Sequence, residues 1–107
     1  MRAMSEPTYF ILASLLDGPL HGYAIIKRAE EQSGGRVRLA VGTLYGALDR
    51  LADNGLIAVD REETVDGRPR RYFTINDDGI DAVTQEAKRM EQAARIVVRR
   101  RPGTVTP

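Results

Sequence analysis

Leu44, Leu48 and Leu51 fall at i, i+4 and i+7, the spacing that lines one narrow face of an α-helix, and Asn54-Gly55 supplies the left-handed stop that ends it. The other side of this helix begins with Gly42, Thr43, Tyr45 and Gly46, small or hydrogen-bonding residues where an ordinary amphipathic helix carries Glu and Lys. Such a face can approach another surface closely. Two helices are expected before it. Ser5 or Thr8 caps the first, after a loose leader over residues 1–6, and Pro7 sits in its first turn, where a missing N–H does no harm. Residues 9–16 are apolar nearly all the way round, so this helix needs cover on two sides, one from its own core and one from a partner. Asp17-Gly18-Pro19 ends it. The second helix, over about residues 21–32, sets Gly22, Ile25, Ile26 and Ala29 against Lys27, Arg28, Glu30 and Glu31, and Ser33-Gly34-Gly35 stops it. Arg36-Val37-Arg38-Leu39 then alternates with the period of a short half-buried strand.

After Ile57 the pattern changes to period two over residues 57–62 and again over residues 71–75, with an Asp66-Gly67 turn signal between, which predicts a β-hairpin. If Phe73 and Ile75 face the core, Arg70 and Tyr72 face outward and Arg68 stands free at the tip. Asn76 or Asp77 caps a last helix whose apolar residues Ile80, Val83, Ala87, Met90, Ala94 and Val97 follow alternating three- and four-residue steps. That is the seam spacing of a coiled coil, and a helix folded back on its own domain would show it too. With the apolar first helix, including Tyr9 and Phe10, it predicts a homodimer. The expected organisation is a body over residues 1–76, a dimerisation helix over 77–98 and a disordered basic tail over 99–107.

Composition narrows the functions. At 107 residues the chain is one small domain, which buries only about two-thirds of its unfolded surface and gains from a partner. It has no cysteine and a single histidine, His21, so a disulfide framework, a metal site and a cofactor are not expected. His21 reads as a structural or capping residue, since general acid–base catalysis needs a second positioned group. No catalytic residues are assigned, and an enzyme is the weakest reading. No apolar run is long enough to span a bilayer and no signal peptide is recognisable, so a cytoplasmic protein is expected. The net charge of +1 is uninformative, but its distribution is uneven, with arginines gathered at 36 and 38, at 68, 70 and 71, and at 99–101.

These elements predict an α+β, mostly α fold: a winged helix-turn-helix with a long C-terminal dimerisation helix. The Leu44 helix is then the recognition helix and the hairpin its wing, with double-stranded DNA as partner. Two plainer readings compete: a core helix with a weak start, and a solvated edge hairpin whose charges only block aggregation. A winged-helix protein-interaction module that binds no DNA is the alternative function.

The chain also resembles the PadR family of bacterial transcriptional regulators, in the short subfamily that ends after one dimerisation helix. The likeness covers about residues 8–98. It rests on Gly18-Pro19-Leu20-His21-Gly22-Tyr23, on Gly42-Thr43-Leu44-Tyr45 followed by Leu48, Arg50-Leu51 and Asn54-Gly55-Leu56-Ile57, and on Gly67-Arg68-Pro69-Arg70-Arg71-Tyr72-Phe73 leading to Gly79. The resemblance implies a dimer whose recognition helices enter successive major grooves of an inverted repeat, with repression relieved by a ligand or another signal. It implies DNA contacts at Thr43 and Tyr45 and at Arg68 and Arg70, to which Tyr23, Gly42, Gly46 and Arg50 are added as candidate contacts. Family members that bind effectors do so between subunits, but here there is no tryptophan and only Tyr9, Phe10 and Met90 could line such a space, so the residues do not support a ligand. Gly46 stands where the family usually has proline, and Ala40-Val41 offers no cap where it often has serine, so a frayed helix start that DNA orders is expected.

Overall fold

The computed structural model describes residues 4–100; the tail beyond Arg100 lies outside the described residues. Helix α1 (Glu6–Ser14) starts where expected: the Ser5 hydroxyl accepts from the Thr8 N–H at 3.2 Å, and Pro7 occupies the first turn. Ser5 and Glu6 are therefore part of the helix start and not of a loose leader, and half-buried Met4 packs on the core. Ile11, Leu12 and Leu15 are buried, and the one polar residue among them, Ser14, donates to the Ile11 carbonyl at 2.6 Å.

A two-residue strand that the residue pattern does not announce, β1 (Leu20–His21), precedes α2 (Gly22–Gln32). The segment Arg36-Val37-Arg38-Leu39 corrects a sequence expectation. Its burial does alternate, with Val37 buried and Leu39 half-buried, yet it joins no ladder. Alternation reports which side faces the core and not whether the backbone finds a partner; here the edge beside the wing is filled by β1, and Val37 N–H is satisfied by the Ser33 hydroxyl at 2.9 Å.

Helix α3 (Val41–Asp53) buries Leu44, Ala47, Leu48 and Leu51, so the leucine stripe is the core face. Strands β2 (Ile57–Val65) and β3 (Arg68–Ile75) form the hairpin, longer than the alternation alone indicates. Asp66 (φ 52°) and Gly67 (φ 77°) both have positive φ, the two-residue turn whose twist matches a hairpin. The described sheet is antiparallel in the order β1-β3-β2, with Leu20 opposite Phe73 and a bulge at Asp60 between the Val59–Phe73 and Arg61–Tyr72 pairs.

Helix α4 (Asp77–Arg99) begins with two aspartates in its first turn, which complement the helix dipole. Asn76 is its cap position but makes no side-chain capping bond; its amide instead donates to the Gly55 carbonyl at 3.1 Å. Gly79 packs against the Leu56 backbone so closely that a Cβ would collide with it. Among the described residues only the first turns of α4 belong to the core, because Gly79 and Val83 are its buried residues and Lys88 to Arg100 are all exposed.

Candidate nucleic-acid interface

The start of α3 has no side-chain cap at Ala40, and Val41, Gly42 and Thr43 are exposed. Exposed Arg50 folds back along the helix over Gly46, where a Cβ would make an ordinary contact at 3.6 Å with its guanidinium nitrogen. Tyr45 departs from the outward placement expected of it. It is half-buried and packs on the core, with its hydroxyl over Gly22 at the start of α2.

A cleft of about 430 Å³ lies between the helices and the wing, lined by His21, Gly22, Tyr23 and Tyr45 on one side and by Val65, Asp66, Arg68, Pro69 and Arg70 on the other. It brings together four of the residues assigned to DNA contact, Tyr23, Tyr45, Arg68 and Arg70, while Gly42, Thr43, Gly46 and Arg50 lie on α3 outside it. Tyr23 is 69% exposed, and Arg68 is exposed at the wing tip. Arg70 is half-buried, and so is Tyr72, which was expected to face freely outward.

The reason is a cluster at the wing's root. His21 pairs through its backbone with Tyr72, stacks edge-on against the Tyr72 ring at 5.5 Å, and accepts the Ala24 N–H on Nδ1 at 3.4 Å as the cap of α2. Burial, and secondarily the positive charge of Arg70, push the His21 imidazole below its ordinary range, which keeps Nδ1 free to accept. On the other side of Tyr72, the Arg61 guanidinium lies 4.0 Å from the ring centre and is bound to Glu63 at 3.0 Å. Arg61 and Glu63 were not singled out from the sequence, although the hairpin turn sets their register and so offered a signal.

The residues assigned to a dimer divide. Val83 is 3% exposed inside the chain's own core and is thereby withdrawn from any surface that meets a partner. Tyr9, Phe10 and Ala87 are half-buried, whereas Ile80, Met90, Ala94 and Val97 are exposed, Met90 to 37% and Val97 to 69%. Tyr9 and Phe10, edge-to-face at 5.2 Å, line a cleft of about 210 Å³ with Met90, Glu86 and Arg89 between α1 and α4. Among the described residues no cluster of His, Asp and Glu has the arrangement of a metal site, and no helix is long and apolar enough to cross a membrane.

A helix pair, a third helix with an exposed polar start, and a hairpin flanking it across a cleft define a winged helix-turn-helix protein. Residues 11–85 match the transcriptional regulator PadR-like family, and the chain belongs to that family. It is 35% identical over 88 residues to the transcriptional regulator Rv3488 of Mycobacterium tuberculosis, covering 82% of this chain and 78% of that protein. It is also 42% identical over 86 residues to an uncharacterised 37.1 kDa protein in transposon TN4556 of Streptomyces fradiae, covering 80% of this chain but only 23% of that protein. The chain thus spans less than a quarter of the length of that relative. Among solved structures it is similar to Bacillus subtilis PadR in complex with operator DNA, with 26% identity and a TM-score of 0.64 over 73% of this chain and 45% of that one.

Proposed function

We propose that the protein is a sequence-specific DNA-binding regulator, a repressor that acts in the cytoplasm as a homodimer on an inverted-repeat operator. The observation that carries this reading is the placement of Tyr23 and Tyr45 across one cleft from the wing arginines Arg68 and Arg70, with the exposed start of α3 on the same helix as Tyr45. Gly42, Thr43 and Arg50 are offered for the major groove, Gly46 allows close approach, and Arg68 and Arg70 are offered for the flanking backbone. Tyr23 and the edge of Tyr45 lie between them. The operator complex of the Bacillus subtilis relative supports the same use of this fold.

Residues 4–76 form the reading head in this proposal and residues 77–98 the dimerisation helix. Support for the dimer comes from α4 itself: 23 residues span about 34 Å, and its second half has no cover among the described residues. A second copy covering Met90, Ala94 and Val97 would also close the cleft beside Tyr9 and Phe10, the place for a small-molecule effector if one exists.

The deciding experiment is a titration of the protein with the DNA upstream of its own gene over a range of salt. Binding should weaken steeply as salt rises, because phosphate contacts release counterions. Thr43→Ala should lower affinity for the operator while leaving the fold intact. Binding to a protein partner that is insensitive to salt, with no binding to DNA, would instead support an interaction module.

A further inference from the structure

One of the wing's arginines, Arg61, is already engaged by carboxylates. Arg61 and Glu63 on β2 share a face with Tyr72 and Arg70 on β3, since Arg61 pairs with Tyr72 and Glu63 with Arg70 across the hairpin. On that face Arg61 donates from Nε to Glu63 Oε1 at 3.0 Å and from Nη1 to Asp60 Oδ2 at 3.2 Å, with its guanidinium against the Tyr72 ring. Glu63 therefore bonds one guanidinium and stands opposite another. Its carboxyl is held below the ordinary carboxylate range, first by the hydrogen bond from Arg61 and further by the charges of Arg61 and Arg70, so it is ionised wherever the protein works.

This arrangement adds little to the fold, because Arg61 and Glu63 are both exposed and exposed ion pairs stabilise weakly. Its effect falls on what approaches. Arg70 lines the cleft, and Arg61 lies one step nearer the root on the same face. A phosphate seeks from a guanidinium the same charge-assisted hydrogen bonds that the carboxylate already makes.

We propose that Glu63 is a built-in competitor for DNA phosphate, holding Arg61 and opposing Arg70 so that these two arginines grip a duplex only by exchanging carboxylate for phosphate. The proposal rests on the DNA-binding reading above. An arbitrary duplex meets a wing in which Arg61 is already engaged by Asp60 and Glu63 and Arg70 stands opposite Glu63, and the contacts of α3 with the correct sequence supply what drives the exchange. Glu63 thereby lowers affinity for arbitrary DNA.

Glu63→Gln tests this, since the amide can still accept from Arg61 but carries no charge. Glu62→Gln is the control; Glu62 is an exposed neighbour paired with Arg71 on the opposite face. Full-length proteins would be titrated with a random-sequence duplex at several salt concentrations, with melting followed in parallel. Glu63→Gln should bind roughly threefold to fivefold tighter, with a salt slope steeper by about one unit. Glu62→Gln should change much less, and the gain should shrink when Glu63→Gln is placed in an Arg61→Ala background. An equal gain in both single variants would reduce the effect to net charge and overturn the proposal. Unchanged or weakened binding by folded Glu63→Gln would overturn it too, because Glu63 would then be positioning Arg61 for DNA. Wild-type protein that binds no duplex even at low salt would remove the DNA-binding reading itself.

Discussion

The Tyr45 hydroxyl lies 2.7 Å from the point where a side chain on Gly22 would begin, closer than any Cβ contact can be. Gly22 is thus a slot on α2 into which a side chain of α3 fits. Gly22→Ala should force Tyr45 aside, destabilising the domain by about 1–3 kcal/mol through overpacking and weakening operator binding. Tyr45→Ala should now cost stability as well as affinity, contrary to what an outward-facing ring would give. Thermal melts of the two variants and of their combination measure the coupling, which should be far from additive.

Leu48→Ala should be more damaging than either, because Leu48 is fully buried at the centre of the α3 stripe. A loss of about 2–5 kcal/mol is expected from the cavity it leaves. Urea denaturation followed by circular dichroism would show it.

Arg68→Ala should make the salt dependence of DNA binding shallower by about one unit, with similar loss on specific and random duplexes, as for a phosphate contact. Arg70→Ala should do less, since Glu63 already opposes that charge. A relaxed preference at flanking A·T positions with no change in slope would mean that the arginine reads the minor groove.

Met90→Asp should yield monomers, because an unpaired charge would have to be desolvated in the α4 seam. Sedimentation of wild type and variant at equal concentration checks this. A monomeric wild type would defeat the dimer.

His21 gives the protein a dependence on acid. Its folded-state value lies below the ordinary 6.5, so the folded state binds fewer protons than the unfolded chain. The stability this contributes is fully present above the unfolded value and is lost as pH falls through the folded one. Protonation also removes the acceptor that caps α2 and adds positive charge at the start of that helix, beside Arg70. Melting temperature should therefore drop on acidification below about pH 6.5, and His21→Asn, which keeps a capping acceptor, should flatten the drop.

The helices were legible because burial imposes a period: the leucines of α3, the apolar face of α2 and the capped start of α1 each follow from local chemistry. The Asp66-Gly67 turn likewise sets the near half of the hairpin, and counting back from it brings Arg61 opposite Tyr72. The bulge at Asp60 was not legible, since an extra residue in one strand leaves no mark on an alternating pattern. Strand β1 was hidden for a different reason. Two residues are too few to show a period, and only the presence of β3 makes Leu20 and His21 a strand. Tyr45 was misplaced because helical spacing gives a direction around the axis, whereas its burial depends on Gly22 arriving from another helix.

The shortness of β1 has a mechanical consequence. It pairs only with Phe73 and Tyr72, so beyond that rung the wing is a two-stranded ribbon, and its change of stiffness coincides with the extra residue at Asp60. Two-stranded ribbons twist more readily than sheets of three. The wing is thus a cantilever, clamped at His21 and compliant at Arg68, and in the proposed complex with DNA its tip would follow a groove of varying width while α3 stays still.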